Sequence, residues 1–580
     1  MSLDQRRLWV RMELFEHFSL QLQQRCLAKL TPQHITVAIT TLHQLDPQGA
    51  QGSRTPMTKR ISYAMWKKVA EDIFLWKDNE CRSFWLVLVF LHHQIQMPLE
   101  AKDPRDPNFL LDEDYFVKEA VPLFKLVVFL YIHTDKRHHR SKHVLEAVWR
   151  RDEKADPPAL ASPSLLPPGS PSSPHTVGLK DRSVSDTHHF NFVKTNLETI
   201  FVLLFDPTLT GASDVVVTPA DVDLVGFLLC GGDSFLTQHH AFSRVYPKWS
   251  PDGRKPASKV CKWIRKYLSL NEALYPPIGF SLMPAMSLQV NMPVLQDMEV
   301  EQDGTDLVAL PRPLVISAVS KTTVIKRAEE FAQGDLVIFA CHDAYIYVLG
   351  PLRHVSIVAS SNCKLVIAPN SGIFTVDRCE GMKISGVCAL LRVNNCLDSV
   401  LNVFTPRRSI FTGDNRGLHI GPFNAMYPAL AAHLRASEFL FVPQSAGQWN
   451  KFINLETDGG GDREEAVKDA VVLQTPQQFV EVVVPVKMDG SPSSHHLHVS
   501  AHHHNPFALP LEFVAVVQRV HENVESLRRL IASDEFDPPT KRALEQAIQS
   551  KFKEWLAASG NTRQVLDLVQ LEKSRHSFSS

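Results

Sequence analysis

From Gly334 to Phe423 the chain reads GDLVIFACHDAYIYVLGPLRHVSIVASSNCKLVIAPNSGIFTVDRCEGMKISGVCALLRVNNCLDSVLNVFTPRRSIFTGDNRGLHIGPF. Short β-rich segments recur along this stretch and begin about nine or ten residues apart. Each is bounded by Gly, Pro, Asn, Asp or Ser, which supply turn geometry. The segments are residues 336–339, 345–348, 355–358, 365–368, 373–376, 383–387, 391–393, 400–404, 409–411 and 418–420. Repetition at this interval without amphipathic helices between the segments indicates a parallel β-helix, with a jelly roll as the alternative.

The chain as a whole has the composition of an ordinary globular protein. Its 580 residues are too many for one hydrophobic core, so several domains are expected. Its 61 Lys and Arg residues nearly balance its 62 Asp and Glu residues, so bulk charge gives no attraction to nucleic acid. Nine cysteines without paired local spacing favour reduced thiols. Because no signal peptide and no bilayer-spanning apolar run is present, the sequence predicts a cytoplasmic protein without a transmembrane segment.

The N-terminal half has helical apolar spacing, and we predict an α-helical domain over residues 1–300. Thr218-Pro219 with Asp221 predicts a helix start, because Thr218 can cap free N–H groups and Asp221 meets the positive end of the dipole. A Pro/Ser-rich insertion at residues 155–186 is predicted to be disordered, since it cannot bury enough apolar surface. The basic cluster at residues 136–143 is either a contact for acidic groups or the solvated end of a helix.

Residues 447–580 are predicted to form a separate C-terminal region, with a strand-like run at residues 479–486 followed by a helical tail. Four apolar residues of the tail lie four positions apart on one helix face: Leu544, Ile548, Phe552 and Leu556. We expect this stripe to pack within the protein, and a partner helix is the alternative.

The common catalytic and cofactor-binding motifs are missing from the sequence. Phosphate-binding loops, dinucleotide-binding turns, the zinc-protease motif and the serine-hydrolase elbow do not occur, so we expect no cofactor. The His-rich residues 495–504 have no cysteine nearby and are interpreted as a solvated loop, so no metal site is expected. Four cysteines lie in the repeated segments, and we predict that they are small core residues at turns or inward positions. They are Cys363, Cys379, Cys388 and Cys396.

The repeated segments carry a family resemblance, together with Thr405-Pro-Arg-Arg-Ser and the run Ile420-Gly-Pro-Phe423-Asn-Ala-Met-Tyr427-Pro428. They resemble the C-terminal domain of tubulin-binding cofactor C, a right-handed parallel β-helix. The order of parts is similar to that of the cofactor-C-domain-containing proteins of centrosomes and basal bodies. The resemblance implies a multidomain α+β protein: an α-helical N-terminal half, a right-handed parallel β-helix domain at residues 305–446 and an α-helical C-terminal tail.

One arginine decides what the resemblance implies about chemistry. The family signature is Cys, two residues, a hydrophobic residue and Arg, with Gln two positions before the Arg. In Cys388-Ala-Leu-Leu-Arg392, Arg392 occupies the arginine-finger position, while Leu390 replaces the Gln and cannot form its hydrogen bonds. Such a finger is worth ~10³–10⁵ in the rate of GTP hydrolysis. Phe423 and Tyr427 would shape the domain surface around it. The alternative is that the Arg392 stem covers apolar surface and its guanidinium lies in water.

The centrosomal group is generally thought to lack GTPase-stimulating activity, so we expect a non-enzymatic cytoskeletal scaffold. It would help to position the centrosome or basal body, with effects on Golgi organisation and cell shape. Its partners would be centrosomal or basal-body proteins, and its location the cytoplasm, cytoskeleton, centrosome, basal body or spindle pole. The alternative is a GTPase-activating protein for tubulin or an Arf-like small GTPase, with Arg392 as the finger. A tubulin-folding cofactor is a third, less favoured interpretation.

Overall fold

The chain folds as two compact units. The computed structural model describes residues 8–11, 13–16, 18, 20, 22, 24–45, 56–95, 115–135, 174–205, 215–231, 253–269, 314–330, 334–437, 447–455, 471–484, 505–533, 536–559 and 561–578. The described residues up to 269 belong to the first unit, and those from 314 onward belong to the second. The basic cluster at residues 136–143, most of the Pro/Ser-rich insertion and the His-rich residues 495–504 lie outside the described residues.

The first unit is mainly helical, as predicted. Its helices are α1 (Glu13–Glu16), α2 (Gln24–Ala28), α3 (Pro32–Leu45), α4 (Tyr63–Asp72), α5 (Asp78–Gln94), α6 (Tyr115–Lys118), α7 (Leu123–Ile132), α8 (Pro174–Phe205), α9 (Pro219–Leu224) and α10 (Ala257–Tyr267). Three short antiparallel pairs join distant segments: β1 (Leu8–Val10) with β5 (Leu229–Gly231), β2 (Arg60–Ile61) with β3 (Val121–Pro122), and β4 (Val216–Val217) with β6 (Lys255–Pro256).

Helix α7 is buried at all ten positions and belongs to the core of this unit. Phe129 from this helix lies 4.6 Å from Phe84, whose ring stacks on Trp66 at 4.8 Å. Lys125 is buried too, and its Nζ donates to the carbonyl oxygen of Ile95 at 2.7 Å. An apolar core accepts such a cation only when its hydrogen bonds are made, so Lys125 fixes the end of the neighbouring helix α5.

Helices α8 and α9 each begin at a proline. Helix α9 begins as expected: the Thr218 amide donates to Asp221 Oδ2 at 2.8 Å, and the Asp221 amide donates to Thr218 Oγ1 at 3.4 Å. Helix α8 begins at Pro174, within the segment 155–186 that the sequence predicts to be a Pro/Ser-rich insertion. Proline is compatible with the first turn of a helix, and no further proline follows it before Phe205, so nothing in this part of the sequence breaks the helix.

The second unit is a parallel β-helix, which confirms the predicted fold class. Its strands are β7 (Leu314–Ser317), β8 (Thr323–Arg327), β9 (Asp335–Phe339), β10 (Tyr345–Leu349), β11 (His354–Val358), β12 (Lys364–Asp377), β13 (Lys383–Asn394), β14 (Val400–Phe404), β15 (Ser409–Thr412), β16 (Leu418–Pro422), β17 (Ala425–Met426), β18 (Phe452–Asn454), β19 (Val471–Leu473) and β20 (Val482–Val483). Every strand pair of this unit between described residues is parallel, so the jelly-roll alternative is wrong.

The strands stack into two faces. Face 1 consists of residues 314–317, 335–339, 354–358, 373–377, 390–394, 409–412 and 452–454. Face 2 consists of residues 323–327, 345–349, 364–367, 383–387, 400–404, 418–422 and 471–473. Leu336 pairs with Val355, and Val355 with Phe374, so one turn takes 19 residues there. Two strands per turn therefore explain the segment spacing of about nine or ten residues in the sequence.

Residues with a left-handed backbone form the corner that leads from face 1 to face 2. Three of these pairs are Ala340 with Asp343, Ala359 with Asn362, and Asn395 with Asp398, all with φ between 45° and 52°. Gly381 has φ 62° at the position that follows Asn362 by one turn, and a Cβ there would collide with the Asn362 side-chain oxygen. Glycine fits position 381 without displacing the Asn362 side chain, and it adopts a positive φ at no steric cost.

The cysteines of the β-helix are buried thiols, as predicted. Cys379 and Cys396 occupy equivalent corner positions, and each Sγ donates to the carbonyl oxygen two residues before it, at 3.4 and 3.3 Å. Burial raises the pKa of Cys363 to about 11. Cys363 is therefore a protonated thiol, which is a poor nucleophile and a poor metal ligand.

The β-helix continues beyond residue 446, where we had expected the domain to end. Strand β18 pairs with β15, and β19 pairs with β16, so both add to the ends of the two faces. Of the strand-like run at residues 479–486, only Val482–Val483 is a strand, and it pairs with β17. Residues 485–486 lie outside the described part of the chain.

Helices α11 (Leu430–Ala436), α12 (Leu511–Ala532), α13 (Pro538–Ala558) and α14 (Asn561–Phe578) complete this unit. Asn561 at the start of α14 accepts a hydrogen bond from Lys364 on face 2 at 3.0 Å, so α14 lies against that face. Ile548 and Phe552 of α13 are 38% and 56% exposed, and for them the expectation of packing within the protein is wrong. Among the helices that the structure describes, none has the length and apolar character needed to cross a membrane.

Candidate functional site

Arg392 lies in the part of β13 that belongs to face 1. Its register partners are Thr375 in β12 and Ile410 in β15. Leu391 and Val393 belong to the core inside the β-helix. Because side chains alternate along a strand, Arg392 and Leu390 point to the outer side of face 1. The local sequence thus orients the arginine away from the core, as a residue with a role outside the β-helix would need.

The outer side of face 1 is covered around Arg392. Arg392 is only 7% exposed and Leu390 only 1%. Helix α11 packs against β12, the strand next to Arg392. The alternative in which the Arg392 guanidinium lies in water is therefore wrong in this structure. For the same reason, a partner could reach the guanidinium only if the covering residues moved.

Asp377 supplies negative charge to this buried arginine. Burial lowers the pKa of the Arg392 guanidinium, and the Asp377 carboxylate opposes that shift. The carboxylate also accepts from Asn394 Nδ2 at 2.5 Å and forms an ion pair with Arg378 at 2.6 Å. A buried cation needs compensating charge and hydrogen bonds, and the Asp377 carboxylate favours the charged form of the covered Arg392.

Phe423 and Tyr427 do not lie on the domain surface, and that expectation is corrected. They are 2% and 3% exposed. The Phe423 ring meets Phe507 edge to face at 5.6 Å, and the Tyr427 hydroxyl lies 3.1 Å from His433 Nδ1. Burial raises the pKa of the Tyr427 hydroxyl above its ordinary range. Both side chains are buried by packing within the domain, because the segment after β16 folds back onto the β-helix.

A row of polar residues beside Arg392 was missed by the sequence analysis. Asn394 Nδ2 donates to Asp377, and Thr412 Oγ1 donates to Asn394 Oδ1 at 3.1 Å, so the row crosses three successive turns. The signal was present in the sequence: Asp377 precedes Cys379 by two residues, and Asn394 precedes Cys396 by two. Superposing the repeats on their cysteines would have placed these two side chains together.

Known proteins are similar to this chain in sequence. The family model of tubulin binding cofactor C matches residues 333–451. TBCC domain-containing protein 1 of Xenopus laevis is 22% identical over 88% of this chain and 91% of its own length. The proteins of that name from Danio rerio and Homo sapiens are also 22% identical, over 88% and 85% of this chain and 86% and 88% of their own lengths.

One solved structure, tubulin binding cofactor C from Leishmania major, aligns with 30% of this chain and 98% of its own. Its identity is 11% and its TM-score 0.22. The match of the family model, with Arg392 inside it, rests on the sequence alone. Residues 333–451 thus match the tubulin binding cofactor C family by sequence, within a chain that is similar over most of its length to the vertebrate TBCC domain-containing protein 1.

Proposed function

We propose that this protein is a cytoskeleton-associated scaffold that helps to position the centrosome or basal body, with effects on Golgi organisation and cell shape. The cofactor C domain and the similarity to TBCC domain-containing protein 1 support a relation to tubulin and the cytoskeleton. The observation that carries the choice of scaffold over enzyme is the burial of Arg392, which is 7% exposed beside Asp377. An arginine covered in this way offers no exposed guanidinium to a bound nucleotide.

Exposed apolar side chains on the C-terminal helices support the proposal that partner proteins dock there. In α12, Val520 is 53% exposed and Val524 is 42% exposed. In α13, Phe552 and Trp555 are 56% and 55% exposed, and their rings stack at 5.8 Å. Neighbouring apolar side chains on the surface of a folded protein are typical of interaction sites. Proteins of the centrosome or basal body are the partners that we propose for them.

Fluorescent tagging of the full chain tests this function. We expect a focus at spindle poles or basal bodies, and displaced centrosomes and a dispersed Golgi after depletion. Phe552→Ser combined with Trp555→Ser should weaken the focus, because it removes the stacked pair. Lys551→Ser combined with Lys553→Ser is the matched control on the same helix and should leave the focus intact. A diffuse signal from the wild-type chain, with normal organelle positions after depletion, would reject the scaffold.

The second candidate is a GTPase-activating protein for tubulin or an Arf-like GTPase. It is favoured by one observation: Arg392 matches the finger position and points to the outer side of face 1. In this candidate, the residues that cover Arg392 move when the GTPase binds, and the guanidinium then reaches the phosphoryl group. Leu390 cannot orient it by hydrogen bonds. Single-turnover GTP hydrolysis with wild-type protein and Arg392→Ala separates the two candidates.

A further inference from the structure

Asp135, His188 and His189 bring three metal-ligand side chains together in the first unit, far along the chain from the cofactor C domain. Asp135 follows α7 directly, and the two histidines are consecutive residues of α8. His188 Nε2 lies 2.8 Å from each carboxylate oxygen of Asp135, and His189 Nδ1 lies 3.5 Å from Oδ2. One ligand atom from each residue lies within 4.8 Å of the other two.

The cluster is built into the core rather than spread on the surface. Asp135 is 3% exposed and His189 is 2% exposed, while His188 is 22% exposed. The Phe15 ring stacks on His189 at 4.6 Å and fixes the plane of the imidazole. Nearby His133 is engaged elsewhere, since its Nε2 accepts from the Leu20 amide at 2.9 Å and its Nδ1 lies 2.7 Å from the Phe129 carbonyl oxygen.

We propose that Asp135, His188 and His189 bind one Zn²⁺ ion that ties the end of α7 to α8. Two imidazole nitrogens and one carboxylate oxygen are zinc donors, with bonds of about 2.0–2.2 Å. Tetrahedral bonds of that length place ligand atoms roughly 3.4 Å apart. The separations of 2.8 and 3.5 Å from the Asp135 carboxylate lie on either side of this value, and the two imidazole nitrogens lie within 4.8 Å of each other. Zinc binding displaces the proton between His188 and Asp135 into solvent, and water completes the coordination on the partly exposed side of His188.

The donor set also selects the class of metal. Imidazole nitrogens favour zinc and its transition-metal neighbours, whereas magnesium and calcium prefer oxygen donors only. The motifs, the His-rich residues 495–504 and the cysteines on which the expectation of no metal rests do not include these three residues. This site joins residues 53 positions apart, so their spacing in the sequence does not reveal it.

The test uses the full chain, freed of metal with a chelator, titrated with zinc, dialysed and analysed for bound metal. We expect one tightly held zinc per chain, a higher melting temperature with zinc, and tetrahedral absorption bands with Co²⁺. Asp135→Asn and His189→Gln should each weaken zinc binding at least about tenfold. His34→Gln, in the same unit but bonded to Thr31, is the matched control and should bind as the wild type does.

Adventitious binding by the His-rich residues 495–504 is measured separately. Replacing His502, His503 and His504 with Ser should leave the tightly held zinc in place. The proposal is overturned if the wild-type chain retains no zinc, if Asp135→Asn retains it fully, or if the His-rich variant loses it. Should Asp135→Asn fail to fold, the Co²⁺ spectrum of the wild-type chain decides, since an octahedral spectrum or none would contradict this site.

Discussion

Phe513 anchors the helical tail to the β-helix, and Phe513→Ala should release helix α12. Of the 22 side chains in this helix, only Phe513 is buried. It belongs to the core of the β-helix and lies 5.9 Å from Trp449 and 5.4 Å from Phe479. A buried Phe→Ala change costs about 3–5 kcal/mol, aromatic contacts included. Because 1.4 kcal/mol is a factor of ten, the open fraction of the helix should rise roughly 100-fold or more.

Amide hydrogen exchange of residues 511–532 measures this opening directly. We expect faster exchange there in Phe513→Ala, while the strands from residue 345 to 412 keep their protection. Val520→Ala is the matched control, since Val520 is 53% exposed in the same helix and its truncation should change stability by no more than about 0.5 kcal/mol. Equal exchange in the two variants would refute the assignment of Phe513 as the anchor.

Three further predictions concern the β-helix. Asp377→Ala removes the carboxylate that compensates Arg392 and should lower the free energy of unfolding by about 3–5 kcal/mol. Asp414→Ala, at an exposed ion pair, should have no measurable effect. Equal denaturant midpoints of the two variants would contradict this prediction. Gly381→Ala places a side chain at φ 62° and should lower the free energy of unfolding by at least about 1–2 kcal/mol, while Ala340→Gly should be tolerated. An unchanged free energy of unfolding in Gly381→Ala would contradict this prediction and show that the corner relaxes. Burial lowers the pKa of His433 from 6.5, so the native state binds its proton less readily than the unfolded chain, and stability should fall as the pH drops through 6.5 toward that lower pKa. His433→Gln should flatten this dependence in denaturant titrations between about pH 7 and pH 5, and an unchanged slope would exclude His433 as its source.

The turn structure of the β-helix could be predicted from sequence because its signals are local. Apolar alternation shows each strand, and Gly, Asn and Asp mark the corners, as at Gly381 and Asn395. The local pattern also places Cys379 and Cys396 at buried corner positions. Arg392 could be assigned an outward direction, since its neighbours Leu391 and Val393 are apolar.

What covers the outer side of face 1 could not be predicted, because it depends on contacts between distant residues. Helix α11 begins 38 residues after Arg392, and nothing in its sequence indicates that it packs against β12. The burial of Phe423 has the same origin, since Phe507 comes from a segment far along the chain. In the tail, Phe552 has helical spacing typical of packing, yet it is 56% exposed. Apolar periodicity identifies a face but does not say what the face contacts.

The most direct test of the scaffold proposal is single-turnover GTP hydrolysis by purified tubulin and by Arf-like GTPases, with and without the full chain. The covered Arg392 and Leu390 predict no stimulation, and wild type and Arg392→Ala should give the same rate while binding is retained. A stimulation of about tenfold or more that Arg392→Ala abolishes would contradict this account and identify the chain as a GTPase-activating protein.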